Sequence, residues 1–234
     1  MKSNLPRPIV NLAKKIIIPI LRNKWKKHPQ VAEWVKNGLM DDTEIDSIVL
    51  DWQKFGGPYS PPHKIKQLRI KEYAAKYDCK ILVETGTYRG DMLEAQKKNF
   101  TKLYSIELST DFWEKAKQRF KNDTHITLLQ GDSGDVLPKL APTLEERTLF
   151  WLDGHYCGGA TALSTIECPI YAEIDAVFKN NKGHVMLIDD ARWFLGERDY
   201  PTIPDLTNYV KKINPNYSVT VADDIIRVVE NLKE

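Results

Sequence analysis

Two short acidic segments stand at the ends of apolar runs: Trp151-Leu152-Asp153-Gly154-His155-Tyr156-Cys157-Gly158-Gly159 and Leu187-Ile188-Asp189-Asp190. A polar residue closing an apolar strand is either a working group or a turn former, and two such clusters on neighbouring strands favour work. Asp153, Asp189 and Asp190 offer hard oxygen ligands of the kind a magnesium-like ion takes, since that ion keeps several waters and uses few protein carboxylates. An ion held there binds a hydroxyl or diol and lowers its pKa toward deprotonation. His155, with an ordinary pKa of about 6.5, suits proton abstraction near neutral pH, with or without a metal. The plainer alternative is that Asp189 and Asp190 cap a loop while His155 is buried and hydrogen-bonded.

Three further polar segments follow apolar runs earlier in the chain. Glu84-Thr85-Gly86-Thr87-Tyr88-Arg89-Gly90 places glycines where a strand would turn into a helix. Gly86 lets the main chain turn sharply and approach a ligand, and Gly90 lets the following helix start close to the strand. Glu107 follows at close to the roughly 20-residue offset at which an acidic residue reaches ribose hydroxyls in dinucleotide folds. Gln130-Gly131-Asp132-Ser133 closes the third run; Asp132 reads as a helix N-cap or as an acceptor beside a ligand, and the two roles are compatible. The glycine spacing does not match the G-x-G-x-x-G that admits a pyrophosphate, which argues against a nicotinamide-dependent oxidoreductase.

These segments need a scaffold that brings several strand ends to one edge, and the rest of the sequence supplies it. From Lys80 onward, short apolar runs alternate with helix-length amphipathic segments, as in a parallel sheet wrapped by helices. Strands are expected at Ile81–Glu84, Leu103–Glu107, Ile126–Leu129, Leu149–Asp153 and Val185–Asp189. Helices are expected at Asp91–Asn99, Asp111–Lys121, Asp135–Leu140, Ile166–Lys179 and Pro204–Ile213. Tyr217–Val221 and Ile225–Val229, separated by Asp223-Asp224, form an antiparallel hairpin. Ligands of an open α/β sheet bind at the carboxyl ends of its strands, where the strand order switches. The stretch Ala191–Pro204 carries charges and aromatics without periodicity and reads as a substrate lid, and Tyr88, Tyr156 and Trp193 as apolar walls or sugar-stacking faces, with core packing an equal alternative for Trp193.

Over about residues 63–230, this order of strands and these motifs resemble the class I S-adenosylmethionine-dependent methyltransferases, an α/β Rossmann-like fold whose seven-stranded, mostly parallel sheet ends in an antiparallel hairpin. Tyr88 stands where many members carry a middle glycine. The resemblance implies S-adenosylmethionine as cofactor, held by Glu84, Gly86, Thr87, Tyr88, Gly90, Glu107, Asp132, Ser133 and Asp153. Asp132 would sit beside the adenine and Glu107 at the ribose. The acidic segments are similar to those of the metal-dependent sugar O-methyltransferases of macrolide and aminocoumarin antibiotic pathways. There a D-G-D segment and a D-D pair supply metal ligands and a base. Here His155 replaces the second Asp of D-G-D. The likeness implies His155 and Asp153 as catalytic groups, Asp153, Asp189 and Asp190 as ligands of Mg2+, and a sugar, glycan or other small hydroxylated metabolite as acceptor. The alternatives are a metal-independent methyltransferase on another acceptor and a non-catalytic module of the same fold at a membrane surface.

The 234-residue chain has 42% hydrophobic and 28% charged residues, ordinary for a globular protein, and a net charge of +2, so nothing global points to nucleic acid. Charge is uneven, however: Lys2, Arg7, Lys14, Lys15, Arg22, Lys24, Lys26 and Lys27 all precede the first acidic residue, Glu33. Residues 8–27 form a basic helix with Ile9, Leu12, Ile16 and Ile20 on one stripe. That face suits either peripheral contact with an anionic membrane or packing on the domain or on a second copy of the chain. Further helical patterns at 30–38 and 42–54 complete an appendage over residues 1–60, and a turn-rich stretch from Gly56 to Pro62 leads into the main domain, residues 61–234. Cys79, Cys157 and Cys168 show neither CxxC nor metal-ligand spacing. With the Ile16–Leu21 run too short to span a membrane, the expected compartment is the cytoplasm.

Overall fold

The computed structural model describes residues 18–20, 22–27, 29–36, 40–46, 63–154, 168–180 and 182–231. They divide into two compact units, Met1–Leu68 and Arg69–Glu234.

In the first unit, residues 22–26 and 42–46 are helical, α1 spans Pro29–Lys36, and α2 (His63–Lys76) begins here and continues into the second unit. Val31, Met40, Ile45, Ile65 and Leu68 form a small core with Trp25 against it. The helix at 42–46 starts with a reciprocal cap: Asp41 N donates to Glu44 Oε2 at 3.0 Å, and Glu44 N donates to Asp41 Oδ1 at 2.9 Å. Part of the basic segment is paired within the unit. Arg22 bridges to Asp42 and Asp46, and Lys26 to Asp42 at 2.6 Å. Ile20 is exposed. Most of the expected helix over 8–27, including Ile9, Leu12 and Ile16, lies outside the described residues.

The second unit is a seven-stranded sheet in the order β3-β2-β1-β4-β5-β7-β6. The strands are β1 (Ile81–Thr85), β2 (Lys102–Glu107), β3 (Ile126–Gln130), β4 (Thr148–Leu152), β5 (Val185–Ile188), β6 (Tyr217–Ala222) and β7 (Ile225–Glu230). The first five are parallel, β7 runs antiparallel to β5, and β6 closes the hairpin. Each expected strand is present, with ends that differ by a residue. The connecting helices are α3 (Asp91–Gln96), α4 (Thr110–Arg119), α5 (Ser133–Leu140), α6 (Ile170–Phe178) and α7 (Ile203–Ile213).

Every residue of β1, β4 and β5 is buried, as expected of central parallel strands covered on both faces. Alternation along the strands sorts the core into two layers. Val83, Phe150, Leu152, Met186 and Ile188 pack with Leu137 of α5, Ile170 and Ile174 of α6, and Leu206 of α7. Leu82, Leu149, Trp151, Val185 and Leu187 pack on the other face with Ile70 of α2, Leu93 of α3 and Ala116 of α4. The same alternation sends Glu84 toward the second layer and Thr85 toward the first. Caps set the helix starts: Ser109 before α4, Asp132 before α5, and Thr202 before α7, whose side chain accepts from Asp205 N at 3.1 Å.

Candidate active site

The strand order reverses between β1 and β4, the neighbours reached by separate crossovers, so the crevice beyond their carboxyl ends is the expected ligand position. Main-chain bonds continue past the strand ends and keep the polar residues in register. Gly86 N donates to Ile106 O, Gly131 N to Glu107 O, Asp153 N to Thr85 O and Asp189 N to Leu152 O, at 2.9 to 3.2 Å.

Both glycines of the β1 loop take a left-handed conformation at a close contact. Gly86 has φ +85°, and a Cβ there would stand 2.3 Å from the carbonyl oxygen of Asp153. Its missing side chain therefore lets the main chain of the β1 loop touch the main chain of the β4 exit. Gly90, also at positive φ, makes room for the Phe120 ring, which seats α3 close to the end of α4.

Glu107 is buried at the end of β2, and its carboxylate is already oriented by the loop it serves. Oε2 accepts from Tyr88 N at 2.7 Å and Oε1 from Ser109 N at 2.8 Å. Each carboxylate oxygen has a second lone pair, so a diol can still be received. Tyr88 takes a left-handed conformation with φ 48°, and its ring stays exposed over Phe112 at 4.7 Å.

Glu84 is buried and faces inward. Its Oε2 accepts from Ser105 Oγ at 2.6 Å, and Ser105 Oγ is also 2.6 Å from Thr87 Oγ1. Burial pushes the Glu84 carboxyl up to about 8; Ser105 lowers it, and the charges of Glu107 and Asp91 raise it further. Through Ser105 it braces the Thr87 loop from below. Asp132 caps α5, its Oδ1 accepting from Gly134 N at 2.8 Å, and Ser133 begins the helix, nearly buried.

On the other side of the crevice the acidic residues converge. One ligand oxygen from each of Asp153, Asp189 and Asp190 lies within 4.8 Å of the other two; the last two residues are buried and Asp153 is half-buried. Asp190 holds φ 56°, and its Oδ1 accepts from Arg192 at 2.8 Å. Arg192 also bonds Asp224 in the β6–β7 turn, and Asp224 in turn accepts from Arg192 N at 2.8 Å. Three oxygen donors of this kind fit a hard divalent cation. His155, together with Tyr156, lies outside the described residues.

The stretch expected as a lid is tied down at both ends. Phe194 and Tyr200 are buried and meet edge to face at 5.5 Å, and Leu195 bridges to Thr202. Trp193 and Leu195 remain exposed at its tip, beside the acidic cluster in sequence, so Trp193 is not a core residue.

The sequence reading passed over Glu173. It sits on the buried stripe of α6 among Ile170, Ile174 and Val177, and it is fully buried. An acidic residue inside an otherwise apolar helical stripe was the available signal.

No family model matches the sequence, and no curated protein matches it. Solved structures do match the fold. The O-methyltransferase TomG from Streptomyces achromogenes, in complex with S-adenosylmethionine, is 14% identical with a TM-score of 0.53, covering 90% of this chain and 99% of that one. An O-methyltransferase from Bacillus cereus, in complex with S-adenosylhomocysteine, is 13% identical with a TM-score of 0.53, covering 89% and 100% of the two chains. The chain has the Rossmann-like methyltransferase fold.

Proposed function

We propose that the chain is an S-adenosylmethionine-dependent methyltransferase acting on a hydroxyl oxygen of a small acceptor, such as a sugar or another hydroxylated metabolite. The observation that carries this reading is the meeting, on one rim of a methyltransferase sheet, of a ribose-type carboxylate at Glu107 with the convergent carboxylates of Asp153, Asp189 and Asp190. In this reading Glu107 and Asp132 fix the two ends of the adenosine, and the Gly86–Gly90 loop, braced by Glu84 and Thr87, carries the rest of the donor. The sulfonium supplies a methyl group whose transfer to oxygen leaves the C–S electron pair on sulfur. The chain's task is alignment, holding the acceptor oxygen about 3–3.5 Å from that methyl, and removal of the hydroxyl proton.

Asp153, Asp189 and Asp190 are the residues that would hold a divalent cation, which would lower the pKa of the acceptor hydroxyl. His155 is the proposed base. Trp193 and Leu195 offer an apolar face to the acceptor. A metal-independent version is favoured by one observation: Arg192 already places positive charge on Asp190. The two versions part on chelation, since turnover falls on treatment with a chelator only in the first.

Calorimetric titration of S-adenosylmethionine, with and without Mg2+ and with Glu107→Ala as control, tests the reading. One-to-one binding that the substitution weakens by about 10- to 100-fold supports it, and well-folded protein that binds nothing in either condition overturns it. Peripheral membrane contact through residues 8–27 is a separate proposal. The pairing of Arg22 and Lys26 with Asp42 and Asp46 lowers the charge available for it.

A further inference from the structure

Both carboxylate oxygens of Glu173 are buried without a hydrogen-bond partner. A buried acceptor left in this way is destabilising, so its retention asks for a reason. The surroundings point to the crevice. Thr85 at the end of β1 and Ser133 at the start of α5 turn their hydroxyls toward Glu173 and partly offset its burial, without closing a bond of good geometry. The same two hydroxyls form the wall under Gly154, where a Cβ would lie 3.0 Å from Thr85 Oγ1 and 3.1 Å from Ser133 Oγ. Thr85 Oγ1 also accepts from Asp153 N at 3.2 Å. Glu173 therefore stands one layer below the point where the β1, β3 and β4 exits meet.

The charged and titratable groups acting on it are few. Asp132, the cap of α5, repels it, and Cys168, ahead of α6, is a buried thiol whose pKa is pushed up to about 12. Among the described residues no cation acts on Glu173.

We propose that Glu173 is the counter-charge for a cationic ligand in the β1/β4 crevice, a positioning residue that acts through Thr85 and Ser133 and makes the site prefer a sulfonium donor to its uncharged thioether product. The inference rests on the cofactor reading above. When Glu173 is ionised, both hydroxyls donate down to it and turn lone pairs toward the crevice, which suits a cation. When it is protonated, one hydroxyl accepts from it and the hydroxyl protons turn upward. Burial and the charge of Asp132 raise the carboxyl to about 7, so the change falls near neutral pH. A cation above favours the ionised form, and by linkage the ionised form favours the cation. Once the methyl has left, sulfur is neutral, the carboxylate loses its compensation and takes up a proton, and the product is held less well.

The test is calorimetry of S-adenosylmethionine and S-adenosylhomocysteine at pH 6 and pH 8. The two ligands share the α-ammonium and carboxylate, so the ratio of their Kd values isolates the sulfur charge. The ratio is expected to move toward the donor by about tenfold from pH 6 to pH 8, one pKa unit of coupling, and to become independent of pH in Glu173→Gln. Thermal melting confirms that the isosteric variant is folded, and Glu173→Met serves as a second uncharged variant with the same expected outcome. A ratio that keeps its pH dependence in both variants overturns the role of Glu173 and leaves the cofactor reading intact. A wild-type protein that binds neither ligand overturns both.

Discussion

On the β1–β3 side of the crevice, Glu107 and Asp132 are held by main-chain N–H groups of the loops that adjoin them. On the β4–β5 side, Asp153, Asp189 and Asp190 are drawn together, and Asp190 is steered by Arg192, which a residue 32 positions further on also holds. One side is organised locally, by turns and caps. The other depends on a contact between the exit of β5 and a distant hairpin. In the proposed function this difference would separate a donor pocket, whose geometry is built into each strand-to-helix turn, from an acceptor pocket that depends on long-range assembly and concentrates like charge.

Substitutions can break this comparison from either side. The largest effect is expected for Asp189→Asn, which should cut turnover by about 100-fold or more and abolish Mn2+ binding followed by electron paramagnetic resonance, while donor affinity stays within about twofold. Loss of donor binding as well would show that the two pockets are one unit. Glu107→Ala should do the converse. Donor affinity should fall by about 10- to 100-fold, the loss of about 1.5–3 kcal/mol of charged hydrogen bonding, with Mn2+ affinity retained. Gly86→Ala should weaken both, because its Cβ meets the Asp153 carbonyl at positive φ; destabilisation of about 2–3 kcal/mol in chemical denaturation is expected.

A smaller effect sharpens the picture through pH. Glu84 has a folded pKa of about 8 against an ordinary carboxyl value of 4.5. Its folded state binds the proton more tightly, so stability is highest below the unfolded value. It declines as pH rises from about 4.5 and levels off above about 8. Glu84→Gln should flatten that decline and raise the melting temperature at pH 8.5 relative to pH 5, by an amount worth a few kcal/mol at most. A profile as steep as that of the wild type would place the proton elsewhere. The smallest expected effect is that of Asp132→Ala, about 1 kcal/mol of lost capping in thermal melts, alongside weaker binding of the adenine end.

The strands were legible because central parallel strands are buried on both faces and read as continuous apolar runs. The hairpin was legible from Asp223-Asp224, both at positive φ, between two such runs. Polar residues at strand ends likewise marked the rim. Three features were hidden for physical reasons. The Arg192–Asp224 pair joins residues that no local period connects. Glu173 lies in a helical stripe whose apolar neighbours mask it. The reason for Gly86 is an approach of two loops, which one strand's sequence does not display.

The turn at Asp223-Asp224 does more than reverse the chain. Asp223 accepts from Arg69 and Arg227, while Asp224 takes Arg192 and its carbonyl receives Ala191 N. The β6–β7 hairpin therefore latches the β5 exit on which Asp190 stands. In the proposed function, a chain without that hairpin would keep the carboxylates at the β2 and β3 exits and lose the latch on Asp190.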